Sequence, residues 1–271
     1  MLTGKYERLK NILQDCGSVL VAFSGGTDSA LLLAVAVKEL GDQVLAVTAV
    51  SPTSTHLEIQ EAKELAKGLG VKHLVVDSRE MQLLEFTENT PQKCYHCKFL
   101  RFSQLKEIAL QEDVPWLLDG SNVDDLGDFR PGMRAVQELG IRSPLQEVGF
   151  TKSEIRELSR QLALPTWNKP SSPCLATRIP YGQKITEEKL RRVEAAEEYL
   201  KKQGFTPLRV RHYQQEARLE IAKEQFSYLL SRLEEVSSRL KELGFTAVTL
   251  DLSGFRSGSM NEILSELDKR S

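Results

Sequence analysis

The stretch Val19-Leu20-Val21-Ala22-Phe23-Ser24-Gly25-Gly26-Thr27-Asp28-Ser29 and its continuation, Ala30 to Val37, decide how this chain folds. Val19 to Phe23 is a short apolar run of the kind that forms a buried parallel strand. Ala30 to Val37 reads as a helix ending before Gly41. Between them lies a loop of small residues at a helix N-terminus, the geometry of a phosphate cradle. Gly25 and Gly26 let the backbone approach an anion, and Ser24, Thr27 and Ser29 add hydroxyl donors. The loop has no lysine and does not follow G-x-x-x-x-G-K-[ST], so it is not a Walker A loop. It carries an acidic residue, Asp28, which suits bound phosphates if Mg²⁺ lies between them.

Outward from this loop, strand and helix patterns alternate. Tyr6 to Leu13 is a short amphipathic helix, and the lone Cys16 after it reads as a packing residue. Gln43 to Val50 is a second strand, His56 to Gly68 a helix and Lys72 to Asp77 a third strand. His56 and His73 have no patterned partner and read as surface or packing residues. This βαβαβ order predicts an α/β fold with a doubly wound parallel sheet, whose ligands bind at the carboxyl ends of the strands. Glu80 to Asn89 and Lys98 to Leu110 read as helices, Val114 to Gly120 as a fourth strand and Ile141 to Leu145 as a short fifth. Thr151 to Glu154 has capping-box spacing and opens a helix over Ser153 to Leu162. The expected division is a first domain over 1–165, a proline-rich functional loop between domains over 166–184, and a smaller α+β domain over 185–271. In the last, Thr186 to Lys202 is a helix, Leu208 to His212 and Ala217 to Ile221 a hairpin, Glu224 to Leu243 one long helix and Ala247 to Asp251 a strand. Gly204-Phe205-Thr206 and Gly244-Phe245-Thr246 repeat one helix–turn–strand device.

Composition narrows the function classes. The chain has 271 residues, 41% apolar and 27% charged, with a formal net charge of −2. Such a balance fits a globular protein and gives no field to gather nucleic acid. No apolar run approaches a bilayer span and residues 1–10 lack a signal-peptide core, which predicts a cytoplasmic protein with no membrane partner. Four cysteines are too few for a disulfide scaffold. Cys94 and Cys97 form a C-x-x-C at the start of a helix, and Cys174 stands in the proline-rich loop. Three readings compete: a redox pair, whose usual strand order is missing here; a zinc site, which lacks a fourth ligand because His96 is poorly placed; and an iron–sulfur cluster completed by Cys174. Arg209 and Arg211 fall on one face of a strand and repel each other unless an anion joins them; a solvated face is the other reading. Arg130 and Arg134 can clamp phosphate or carboxylate.

Ser24 to Ser29 resembles the PP-loop, S-G-G-x-D-S, of the ATP pyrophosphatase superfamily, enzymes that cleave ATP between the α- and β-phosphates to adenylate an oxygen. Together with Asp119-Gly120-Ser121-Asn122-Val123-Asp124-Asp125, Arg130-Pro131-Gly132, Trp167-Asn168-Lys169-Pro170 through Arg178-Ile179-Pro180-Tyr181-Gly182, Arg209-Val210-Arg211 and the tail Asp251 to Asn261, it makes nearly the whole chain resemble the LarE sulfur transferases. The resemblance implies ATP and Mg²⁺ at Ser24 to Ser29, adenine against Ala49, and a border formed by Asp119, Gly120, Asn122 and Asp125. It implies a catalytic set of Cys174, Asp28 and Arg178, with Arg209 and Arg211 on a substrate phosphate. The substrate would be pyridinium-3,5-biscarboxylic acid mononucleotide, whose carboxylates become thiocarboxylates in making the nickel-pincer cofactor used by lactate racemase. One form of the family sacrifices the sulfur of a single loop cysteine; the other holds a 4Fe-4S cluster on three cysteines and takes sulfide or another sulfur donor. Cys94, Cys97 and Cys174 match the cluster form, and Cys174 stands one place beyond the position expected for a sacrificial cysteine. The precedent implies a homo-oligomer. The rivals are a tRNA thiolase of the same superfamily, to which the charge of −2 is poorly suited, a non-catalytic nucleotide sensor or iron–sulfur carrier, and an amidotransferase-type synthetase, which leaves three cysteines unexplained.

Overall fold

Val19–Ala22 forms β1, the strand that the rest of the first sheet flanks. In the computed structural model, residues 2–127, 131–256, 258–262 and 264 are described. In chain order the elements are α1 (Leu2–Cys16), β1, α2 (Thr27–Leu40), β2 (Val44–Val50), α3 (His56–Gly68), β3 (Lys72–Asp77), α4 (Leu84–Thr87), α5 (Lys93–Gln111), β4 (Trp116–Leu118), α6 (Gly132–Glu138), α7 (Pro144–Val148) and α8 (Lys152–Gln161). Then come α9 (Glu187–Lys202), β5 (Leu208–Tyr213), β6 (Glu216–Ile221), α10 (Phe226–Leu230), α11 (Leu233–Glu242) and β7 (Ala247–Leu250). Two compact units result: Met1–Glu80 with Cys94–Ser172, and Met81–Lys93 with Pro173–Ser271.

The first unit is the expected parallel sheet, with strand order β3-β2-β1-β4. One of its faces carries a core of α1, α2 and α8 side chains, with Leu31, Leu32 and Leu33 fully buried. Each of these contributes about 2 kcal/mol by leaving water. The other face packs Leu20, Leu45 and Val47 against Phe102, Leu105 and Ala109 of α5. Helices on both faces are what a doubly wound sheet requires, because its strands are apolar on both sides. Cys16 packs as expected at 6% exposure, with Arg142 Nη1 3.4 Å from its sulfur. Burial pushes its thiol pKa up against the pull of Arg142.

Four elements differ from expectation. Ile141 to Leu145 is no strand: only Arg142 bridges Leu118, and Pro144, which has no N–H for a ladder, starts α7 instead. Glu80 to Asn89 is not one helix but a single 3₁₀ turn, Glu80–Gln82, and α4, broken by extended Leu83. Glu224 to Leu243 breaks at Ser231, whose hydroxyl donates to Tyr228 O at 2.8 Å and competes with the helical ladder there. The cysteine helix begins earlier than expected, at Lys93, so Cys94 and Cys97 lie in its first turn rather than ahead of it. The capping box at Thr151 and Glu154 forms in both directions and starts α8 at Lys152.

The second unit is a three-stranded sheet, β5-β6-β7, with β5 antiparallel and β7 parallel to β6. Its repeated turn is real. Gly204 and Gly244 take φ of 88° and 100°, the left-handed region that closes a helix, and Phe205 and Phe245 then enter the core. Residues 81–93 join this unit through Asn89, which is fully buried. Its amide donates to Ile179 O, Pro180 O and Gln183 O at 3.1, 2.6 and 3.0 Å. No helix among the described residues is long and apolar enough to cross a membrane.

His212 of β5 is 1% exposed and neither ring nitrogen has a hydrogen-bond partner among the described residues. Burial, then the charges of Arg192 and Lys189, push its pKa down to about 4. The fold therefore holds it neutral, while the unfolded chain protonates near its ordinary value of about 6.5. Stability is full above that value and is lost as pH falls from 6.5 toward 4. Thermal melts across this range are expected to show the decline, and His212→Leu is expected to flatten it; an unchanged slope would discount the imidazole.

Candidate nucleotide cleft and cysteine loop

The cradle forms where β1 ends. Gly26 caps α2, its carbonyl accepting from Ala30 N at 2.9 Å, and Gly25 turns through a φ of 70°. Ser29 Oγ donates to Gly26 O at 3.2 Å and lies 3.1 Å from Ser24 Oγ, so both hydroxyls are held at the mouth of the loop. Thr27 turns away: its hydroxyl is buried and donates to Thr166 O at 2.9 Å.

A cleft of about 330 Å³ opens there. Ser24, Gly26, Asp28 and Ser29 line one end of it, with Asp119, Gly120 and Asp125 beside them. Ala22, Val47 and Ala49 form the sheet side, and Cys97, Lys98, Arg101, Phe102 and Leu105 the α5 side. The α5 residues follow the i, i+3, i+4 rhythm of one helix face, which also carries Cys94. The cleft thus sits at the carboxyl ends of parallel strands, as the strand order predicted.

Asp119 is 4% exposed and accepts from Ser121 Oγ and Ser143 Oγ, both at 2.6 Å, which locks the turn that carries Gly120. Asn122 is buried and shapes the loop rather than facing the cleft: its N–H donates to Asp125 and its Oδ1 accepts from Asp124 N, each at 2.9 Å. Arg130 lies outside the described residues. Arg134 stacks 4.0 Å from the Tyr95 ring centre, pairs with Glu138 and does not line the cleft.

Two lysines that sequence reading missed reach the loop from far along the chain. Lys152 Nζ binds both oxygens of Asp28, at 2.6 and 2.7 Å, while its backbone N–H donates to Asp124 at 2.7 Å. Lys169 Nζ donates to Gly25 O at 3.0 Å and to Glu61 at 2.7 Å. Neither spacing carries a signal, because only the tertiary fold brings α8 and its following turn to the cradle. Asp28 and Asp125 put two carboxylates in one cleft with the cradle, a donor set that suits Mg²⁺ shared with phosphates.

Cys174, Arg178, Arg209 and Arg211 belong to the second unit, Cys94 and Cys97 to the first. No disulfide joins the cysteines, and no three Cys, His, Asp or Glu side chains converge as a metal site among the described residues. Arg178 is 2% exposed and its guanidinium is committed to structure. It grips Glu197 at 2.9 and 3.1 Å and donates to Pro173 O, Cys174 O and Thr177 Oγ1 at 2.6, 3.2 and 3.0 Å. It therefore positions the backbone of Cys174. Arg211 is bound bidentately by Glu220 at 3.0 and 2.8 Å and donates to Thr177 O and Ser259 Oγ. Glu220, the cross-strand neighbour of Arg209, relieves the repulsion that the sequence alone left open. Arg209 lies 5.1 Å from the Phe255 ring centre. Burial, then the charge of Arg178, pushes its pKa down to about 10.

A family model described as "Queuosine biosynthesis protein QueC" matches residues 18–95, from β1 to the first turn of α5. An uncharacterized protein of Synechocystis sp. is 41% identical over 98% of this chain and 100% of its own length. An uncharacterized protein of Methanocaldococcus jannaschii is 31% identical over 93% of this chain and 98% of its own. The pyridinium-3,5-bisthiocarboxylic acid mononucleotide synthase of Lactiplantibacillus plantarum is 40% identical over 98% of this chain and 96% of its own. With that identity over nearly the full length of both chains, this chain belongs to the LarE family, the pyridinium-3,5-bisthiocarboxylic acid mononucleotide synthases.

Proposed function

We propose that the chain is an ATP-dependent sulfur transferase acting on pyridinium-3,5-biscarboxylic acid mononucleotide, with sulfur supplied through a three-cysteine 4Fe-4S cluster. The observation that carries this reading is a cleft lined by both the PP-loop and Cys97, in a chain 40% identical to the named synthase. The cradle of Ser24, Gly26 and Ser29 holds the phosphates of ATP–Mg²⁺, with Asp28 and Asp125 toward the metal. Lys98 and Lys152 bring positive charge to pyrophosphate as it forms. A substrate carboxylate oxygen attacks the α-phosphorus, the bond to the bridging oxygen breaks, and pyrophosphate leaves. Sulfide then adds to the acyl carbon and expels AMP, a far better leaving group than oxide, to give the thiocarboxylate. Arg209 and Arg211, on one face of β5, take the mononucleotide phosphate, whose oxygens suit paired guanidiniums.

The thiols fit the cluster by donor chemistry: two on one helix face and a third whose backbone Arg178 fixes. Cys94, Cys97 and Cys174 would hold it, and it would supply an iron with no protein ligand, open to external sulfide. The enzyme would act in the cytoplasm as a homo-oligomer.

Anaerobically reconstituted protein is expected to be brown, with about four irons per chain. It should form AMP and pyrophosphate; ADP and phosphate would overturn the reaction. Cys174→Ala should lose cluster and sulfur transfer but still make AMP. Iron-free protein whose mass falls by one sulfur and two hydrogens per turnover would show that Cys174 itself is the sulfur source.

A further inference from the structure

Beside the cleft lies a buried ion pair that takes no part in the steps above. Glu80, just beyond β3, has no exposed surface. It accepts from Arg101 Nη2 and Ser51 Oγ, each at 2.5 Å, from Thr53 Oγ1 at 3.3 Å, and from Ser78 Oγ. Arg101 Nη2 also lies 3.2 Å from both Ser51 Oγ and Thr53 Oγ1. Burial alone would raise the Glu80 pKa, but the Arg101 charge and the hydroxyl donors hold it below the usual range. Such a pair is a poor device for stability, since apolar side chains of similar size commonly do as well. It is a good device for fixing one guanidinium. Arg101 stays 24% exposed and lines the cleft.

Its place in the cleft is specific. The cradle marks the phosphate end, at the close of β1. Ser51 follows β2, the strand next to β1 in the sheet, so Arg101 is anchored one strand over from the cradle, beside Ala49. There the apolar walls, Val47 and Ala49 on the sheet and Phe102 on α5, make a slot suited to a planar base. A guanidinium is flat, stacks on ring faces, and donates to ring nitrogens and ribose oxygens.

We infer that Arg101 contacts the nucleoside end of the bound nucleotide and that Glu80, with Ser51 and Thr53, positions it. This rests on nucleotide binding in the cleft. The test is equilibrium binding of ATP, AMP and pyrophosphate to the full chain, with steady-state kinetics. Arg101→Met is expected to weaken ATP and AMP alike by about tenfold and to leave pyrophosphate unchanged. Glu80→Gln should raise the KM for ATP without lowering kcat, a split that a general loss of structure would not produce. The double variant Glu80→Met with Arg101→Met removes both buried charges, so it keeps the fold, and it must show the same loss as Arg101→Met. If the unaltered chain binds no ATP, the reading of the cleft fails. If it binds ATP and both Arg101 variants bind ATP and AMP equally well, the inference fails. A loss confined to pyrophosphate would place Arg101 on the phosphates and overturn it too.

Discussion

Gly120→Ala is expected to cut ATP affinity by about 30-fold or more, the equivalent of losing about 2 kcal/mol of binding. The glycine is required by proximity, not by an unusual φ. A Cβ there would lie 2.8 Å from Ser29 N, 3.1 Å from Ser29 Cα and 3.2 Å from the Asp28 carbonyl carbon. All three are backbone atoms in the first turn of α2 and cannot swing aside as a side-chain tip can. The turn carrying Gly120 is equally fixed, since Asp119 is clamped by Ser121 and Ser143. One of the two must shift, and either shift moves cradle N–H groups away from the phosphates. The overpacking itself should cost about 1–3 kcal/mol of stability. Titration with ATP alongside a thermal melt separates the effects. An ATP Kd equal to that of the unaltered chain would show that the loop does not abut the cradle as described.

Arg178→Ala should destabilise the second unit by about 3–5 kcal/mol, the loss seen when one member of a buried ion pair is removed. Both partners are nearly inaccessible, 2% exposed for Arg178 and 3% for Glu197. Glu197 would keep Val210 N as a donor at 3.0 Å and half-exposed Lys201 at 4.0 Å, but it would lose the two short guanidinium contacts that offset its burial. Arg178→Lys should not rescue it, because one ammonium cannot grip the carboxylate bidentately and also reach Pro173 O and Cys174 O. Burial pushes the Glu197 pKa up, yet Arg178 pulls it below the ordinary value in the fold. The pair's contribution is therefore present above about pH 4.5 and is lost as pH falls further. A melting shift worth less than about 1 kcal/mol would show the pair to be dispensable.

Much of this protein is local and therefore legible. Val19 to Val37 alone implies a strand, a cradle and a helix, because apolar runs, glycines and a helix start are set by nearest neighbours. The α3 and β3 bounds, the capping box at Thr151 and the turns at Gly204 and Gly244 follow from the same short-range rules. Where the reading failed, a long-range contact overruled local preference. Ile141 to Leu145 has strand composition, but only Arg142 meets β4 before Pro144 turns the chain into α7. Glu80 to Asn89 has helical composition, but Glu80 is drawn to Arg101, and Asn89 holds three carbonyls of the 179–183 loop. The site divides in the same way. Ser24, Gly26, Asp28 and Ser29 could be named from spacing, whereas Lys152, Lys169 and the Glu80–Arg101 pair could not. Their partners lie 21 to 144 residues away in the chain, a separation that no local pattern records and that only packing the sheet and its helices can close.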